Sequence, residues 1–150
     1  MRAKHSRRKA AAKTTLASEI QRTIIMESFD YYPALSRLYS HVKDKPNASL
    51  SLEDAASIAG MERTHFCKFF RSKTGVTFKH WFDYMRIQFA ISLFQRSDES
   101  VTEVASKSGF DELATFERTF RRVRGMNPKK FKEQHCRPEM ITPKVREKPL

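Results

Sequence analysis

The chain has 150 residues, of which 29 are Lys or Arg and 17 are Asp or Glu, so its formal charge is +12. That length suits one ordinary domain or two very small ones and excludes a large multi-domain enzyme. The charge makes a polyanion or an anionic surface the first partner to consider, without choosing between them.

Two cysteines, Cys67 and Cys136, lie far apart and in no CxxC arrangement. Neither a disulfide framework nor a cysteine-rich zinc site is expected, and a reducing cytoplasm is the expected location. No stretch approaches the ~20 apolar residues of a spanning helix, and the N-terminus lacks the apolar core of a secretion signal, so no membrane is expected as a partner. Four glycines in the whole chain, with apolar residues three and four apart, favour an all-helical protein over a sheet.

In chain order, residues 1–14 form a basic arm, with Arg2, Lys4, Arg7, Arg8, Lys9 and Lys13 and no acid among them. Such an arm is expected to be disordered, and is equally well a solvated tail or a phosphate contact. Residues 15–30 read as an amphipathic helix with Leu16, Ile20 and Ile24 on one face. That stripe needs a cover: this domain, a second copy, or another protein, with packing in the chain favoured. Pro33 suits the first turn of a new helix with Leu35, Leu38, Tyr39 and Val42 as its apolar face, and Pro46 forbids its continuation.

Ser51-Leu52-Glu53-Asp54 then reads as a helix start, and Ser100-Val101-Thr102-Glu103 repeats it forty-nine residues later. The likeness continues: Leu52, Ala55, Ala56 and Gly60 align with Val101, Val104, Ala105 and Gly109. After one inserted residue, Phe66, Lys68, Phe70, Arg71 and Gly75 align with Phe116, Arg118, Phe120, Arg121 and Gly125. One supersecondary unit therefore occurs twice. In each copy a short helix with small alanines, a glycine turn and a longer second helix make a helix-turn-helix, at about residues 52–74 and 101–124. The phenylalanines, three or four apart, form the buried face of each second helix.

Between the copies a helix capped by Thr77 is expected over about residues 78–95, carrying Phe78, Trp81, Phe82, Met85, Phe89, Leu93 and Phe94 as its apolar set. At ~1.5 Å per residue it spans about 27 Å, near the ~34 Å between successive major-groove faces of B-DNA. Asn127-Pro128 opens a last short helix through Phe131, and residues 137–150 read as a disordered tail.

These residues resemble the DNA-binding domain of the AraC/XylS transcription regulators. The resemblance covers about residues 34–134 and rests on Leu52-Glu53-Asp54-Ala55-Ala56, His65-Phe66, Phe69-Phe70 and Thr74-Gly75. It rests still more on Val104-Ala105, Gly109-Phe110, Phe116-Glu117-Arg118-Thr119-Phe120 and Asn127-Pro128. It implies an all-α fold in which two helix-turn-helix subdomains are joined by a long linker helix, about seven helices in all within residues 32–135, besides the N-terminal amphipathic helix. It also implies that the third and sixth helices enter adjacent major grooves. The base-reading positions carried over are Thr64, Cys67 and Lys68 in the first unit and Leu113, Ala114, Glu117 and Arg118 in the second.

Lys68 and Arg118 can donate to guanine O6 and N7, Arg118 through two parallel bonds. Glu117 either accepts from cytosine N4 or orients Arg118, and Thr64, Leu113 and Ala114 suit thymine methyls. Arg63, Arg71, Lys73, Arg121, Arg122 and Arg124 are expected on phosphates. Lys129, Lys130 and Lys132 are either phosphate contacts or solvated, and His65 either touches the backbone or packs between helices.

The expected function is thus a bacterial, cytoplasmic, nucleoid-associated regulator of transcription, an activator by family likeness. Its expected partners are double-stranded DNA, RNA polymerase, and a partner or second copy at the Leu16/Ile20/Ile24 helix. The residues outside the match are too few for a ligand-sensing barrel. A complete protein of this kind would resemble the small members of the family, and a fragment would leave effector control outside the chain. The alternative is an architectural or nonspecific DNA binder. Catalysis, cofactors and metals are not expected, because neither cysteine sits in a reactive motif, His41, His65, His80 and His135 are not at ligand spacings, and Gly-rich phosphate loops are missing.

Overall fold

The computed structural model describes residues 27–136. The basic arm, the Leu16/Ile20/Ile24 stripe and the C-terminal tail lie outside the described residues. A helical segment at residues 27–31 is followed by α1 (Pro33–Asp44), α2 (Leu52–Ala59), α3 (Arg63–Thr74), α4 (Phe78–Arg96), α5 (Val101–Lys107), α6 (Leu113–Arg124) and α7 (Pro128–His135). The described residues contain no strand and are all-α, with two helix-turn-helix subdomains and the long helix α4 between them in sequence. Among them no helix is long and apolar enough to cross a membrane. The chain divides into two compact units, residues 27–44 with 50–81 and residues 45–49 with 82–136.

The helix boundaries follow from local chemistry. Ser51 and Ser100 each make a complete capping box, with Asp54 and Glu103 respectively as the reciprocal acid. Two otherwise unsatisfied backbone donors are met at each start. Asn127 accepts from Lys130 N at 2.7 Å ahead of Pro128, and the His80 N–H reaches the Thr77 hydroxyl at 3.3 Å near the start of α4.

In the first unit the core is aromatic. Phe66 and Phe70 of α3 have no exposed surface and meet at 5.6 Å between ring centroids, and Phe70 meets Trp81 at the same distance. Phe29, from the short segment ahead of α1, stacks on Trp81 at 4.9 Å. Leu35, Leu38 and Val42 of α1 and Ala55, Ala56 and Ala59 of α2 complete the core. The alanines let the α2 backbone approach closely. Each large ring contributes about 1.5–3 kcal/mol by leaving water. Thr74 is fully buried because its hydroxyl has a partner, the Phe70 carbonyl at 2.8 Å.

The second unit repeats this plan with Phe94, Phe110, Phe116, Phe120 and Phe131 around Ile87, Ala90, Ile91, Val104 and Ala105. Here the structure divides the apolar set expected for α4 by depth of burial and adds members to it. The fully or nearly buried apolar residues of α4 within this unit are Phe82, Ile87, Ala90, Ile91 and Phe94, whereas Met85, Phe89 and Leu93 are half-buried. Phenylalanines dominate a hydropathy reading, but small Ala90 and branched Ile87 and Ile91 are what fit beneath the rings of α6.

Candidate nucleic-acid interface

α3 buries Phe66, Phe70 and Thr74 and leaves Thr64, Cys67, Lys68 and Arg71 exposed. Those four fall at i, i+3, i+4 and i+7, so they share one face of the helix. α6 buries Phe116, Thr119 and Phe120 and leaves Leu113, Ala114, Glu117, Arg118 and Arg121 exposed. Each unit therefore presents one polar stripe with basic residues on the side away from its phenylalanines, and every candidate reader named from the sequence is exposed.

The helices carrying these stripes start differently. Glu62, the residue before α3, accepts from Thr64 N at 2.9 Å and from His65 N at 3.1 Å. These two backbone hydrogen bonds hold its carboxyl below the usual carboxylate range. Glu112 occupies the same place before α6 and makes no such cap. Its carboxylate instead accepts from the Thr115 hydroxyl at 3.3 Å, and Thr115 Oγ1 accepts in turn from Arg118 Nη2 at 3.3 Å. Arg118 is thus directed toward Thr115, and the expectation that Glu117 orients it has no counterpart among these bonds.

The bases expected on phosphates fall into groups. Arg71 and Arg121 are exposed on the two stripes. Arg63 pairs with Glu53 at 2.8 Å, but both side chains are about 60% exposed, so the pair holds little energy. Lys73 lies 5.1 Å over the Tyr32 ring, and Arg124 lies 5.2 Å over the Phe131 ring. Arg122 Nη2 donates to the Asp83 carboxylate of α4 at 2.8 Å. On α7, Lys129 and Lys130 are exposed, whereas Lys132 bonds the Glu99 carbonyl and pairs with Asp98 at 3.0 Å. His65 is exposed, 6.4 Å from and roughly parallel to the Phe69 ring.

Two arginines not singled out from the sequence fix the turns. Arg37 of α1 donates to the carbonyls of Ile58 and Ala59 at the end of α2, at 3.4 and 3.3 Å. Arg86 of α4 lies between the rings of Phe82 and Phe110, at 4.7 and 4.9 Å, and donates to the Gly109 carbonyl. Burial lowers the pKa of this guanidinium, an effect that nearby Asp83 and Asp111 oppose. The backbone at Gly109 has φ +81°, and a Cβ there would stand 2.8 Å from the Asn47 carbonyl oxygen. Only glycine meets both demands, so the turn leading into α6 is fixed by its own backbone and by Arg86. A basic residue 23 positions away in sequence gives no signal of such a role; only the missing side chain at Gly109 hints that something approaches closely.

Comparison with known proteins agrees with this architecture. The family described as a helix-turn-helix domain matches residues 55–134. The MmsAB operon regulatory protein of Pseudomonas aeruginosa is 29% identical over 100 residues, covering 67% of this chain and 33% of the relative. The chain thus spans a third of the length of that regulator. Among solved structures, the DNA-binding domain of AdpA, a global transcriptional factor in complex with a target DNA, aligns with TM-score 0.61 at 30% identity, covering 65% of this chain and 88% of that one. A transcriptional regulator of Chromobacterium violaceum with an AraC-type DNA-binding domain shares the fold, with TM-score 0.65 at 23% identity over 71% of this chain and 95% of that one. With more than half of its length inside the family match and two helix-turn-helix units on one repeated plan, the chain belongs to the AraC-type helix-turn-helix domain family.

Proposed function

We propose that the chain is a sequence-specific regulator of transcription that binds double-stranded DNA with α3 and α6, one reading helix from each unit. The observation that carries this reading is the repeated exposed stripe, Thr64/Cys67/Lys68/Arg71 and Ala114/Glu117/Arg118/Arg121, opposite a buried phenylalanine stripe in each unit. The DNA-binding domain of AdpA, which was solved on its target DNA, is similar to this chain over 65% of this chain's length. Lys68 and Arg118 donate to guanine, with Thr64, Cys67, Leu113, Ala114 and Glu117 completing the base contacts. Arg63, Arg71, Lys73, Arg121 and Arg124 hold phosphates, with Arg122 shared between phosphate and Asp83. The two stripes differ in sequence, so the site is asymmetric and needs no palindrome. Activation proceeds through contact with RNA polymerase.

Selection of bound duplexes from a random pool, followed by footprinting, tests this. The expected result is one enriched asymmetric sequence protected over roughly 20 base pairs, with two major-groove segments covered. Equal affinity for all duplexes, with a steep salt dependence, would instead identify an architectural binder. Transcription from a promoter carrying the selected site, with purified polymerase, then distinguishes activation from repression.

A further inference from the structure

We infer that Thr115 is a specificity-determining positioning residue that presets Arg118 for guanine recognition, with Glu112 anchoring it. The inference rests on the DNA-reading role proposed for α6. Arg118 is exposed on the reading stripe, and a free arginine there would lose much rotamer freedom on docking. The chain Arg118 Nη2 to Thr115 Oγ1 to Glu112 Oε2, at 3.3 Å for each step, restricts that freedom before DNA arrives. The direction of the bonds is consistent: the Thr115 hydroxyl gives its hydrogen to the carboxylate and keeps its lone pairs for the guanidinium. One nitrogen is held and the rest of the guanidinium fork stays available to guanine O6 and N7.

The first unit shows what the second has changed. At the corresponding positions stand Glu62, His65 and Lys68. Both carboxylate oxygens of Glu62 are engaged by the backbone of α3, so they are committed to the helix start. Glu112 has given up that capping role, which leaves its carboxylate for Thr115. The second unit therefore contributes a sharper guanine requirement than the first.

The test uses the whole chain, a selected duplex and its single-base variants, with Thr115→Val, Thr115→Ser, Glu112→Ala and Arg118→Ala. Wild type should prefer guanine at the Arg118 position about tenfold. Arg118→Ala should abolish that preference, and Thr115→Val should lose most of it at the same position while preferences read by α3 persist. Thr115→Ser should restore it. Should Thr115→Val fold poorly, Glu112→Ala at its exposed position is expected to weaken the same preference. A Thr115→Val profile equal to wild type overturns the inference, as does a loss at a different base, which would mean that Thr115 touches DNA itself. These failures are separable from failure of the reading itself, in which wild type shows no preference or Arg118→Ala leaves every position unchanged.

Discussion

Arg122 of α6 and Asp83 of α4 are joined by a 2.8 Å hydrogen-bonded ion pair in which the Asp83 side chain is only 7% exposed and that of Arg122 about half. A buried carboxylate is costly to leave without its cation, so the pair fixes α6 against α4 within the second unit. Arg121, its neighbour in the chain, is exposed on the stripe proposed to face DNA. Neighbouring arginines on one helix thus differ, one held in an ion pair and the other exposed.

Replacing Arg122 with Ala should lower unfolding stability by about 1–3 kcal/mol, toward the lower end because the guanidinium is half exposed. Arg121→Ala should leave stability nearly unchanged. In DNA binding the order reverses: Arg121→Ala should reduce the slope of log affinity against log salt by about 0.9, and Arg122→Ala by less. Denaturant titration and binding at several salt concentrations measure both. An Arg122→Ala protein as stable as wild type, with its salt slope reduced by a full phosphate contact, would refute the assignment.

Gly109 and Gly125 both have positive φ, yet their surroundings differ. A Cβ at Gly125 would meet nothing within 4 Å, so Gly125→Ala should cost only the left-handed conformation, about 1 kcal/mol. At Gly109 the Cβ would also press on the Asn47 carbonyl at 2.8 Å and on Arg86 Nη2 at 3.0 Å. Backbone cannot yield as a side-chain tip does, so Gly109→Ala should cost about 1–3 kcal/mol more. Thermal unfolding of the two variants side by side decides; equal losses would show that the turn yields freely.

The contrast between these glycines shows which parts of the architecture are legible in the sequence. Helix starts at Ser51, Ser100 and Asn127 are local, because the cap and the backbone N–H from which it accepts lie within three residues, and all three form as expected. The repeat is legible because both copies bury the same phenylalanine spacing. What the sequence hides is long-range: Arg86 on Gly109, Arg122 on Asp83 and Lys132 on Asp98 join residues 23 to 39 apart, and no local pattern marks an arginine as a tie instead of a DNA contact. The different starts of α3 and α6 are equally hidden, since Glu62 and Glu112 are the same residue type in the same place. The second carboxylate meets the hydroxyl of Thr115, where the first unit has the His65 ring, and the backbone at Glu112 (φ −124°) differs from that at Glu62 (φ −69°).

The two cysteines offer a direct probe of where α3 faces. Cys67 is exposed on the proposed reading stripe, whereas Cys136 is buried, and burial raises the pKa of its thiol more than nearby Lys132 lowers it. The thiolate is the reactive form, so a water-soluble alkylating reagent should modify Cys67 well before Cys136. A bound specific duplex should then slow modification of Cys67. Mass spectrometry of the labelled peptides reads both rates, and a Cys67 rate indifferent to saturating specific DNA would place α3 away from the groove.

The Glu62 cap makes the start of α3 acid-sensitive. Its pKa is lowered in the folded protein, chiefly by the backbone hydrogen bonds from Thr64 and His65, so the folded state prefers the ionised carboxylate. The resulting stabilisation is complete above the ordinary carboxylate range and is lost as pH falls through the lowered folded-state value. A glutamine at this position can still accept through its amide oxygen but carries no charge to favour the positive end of the helix. Glu62→Gln should therefore melt below wild type at pH 7, and the gap should narrow as the pH falls below the ordinary carboxylate range. Glu103, lowered mainly by the Ser100 backbone N–H, should behave likewise at the start of α5. A gap between wild type and Glu62→Gln that stays constant from pH 7 to pH 3 would mean that the carboxylate charge contributes nothing there, and that the cap acts through its geometry alone.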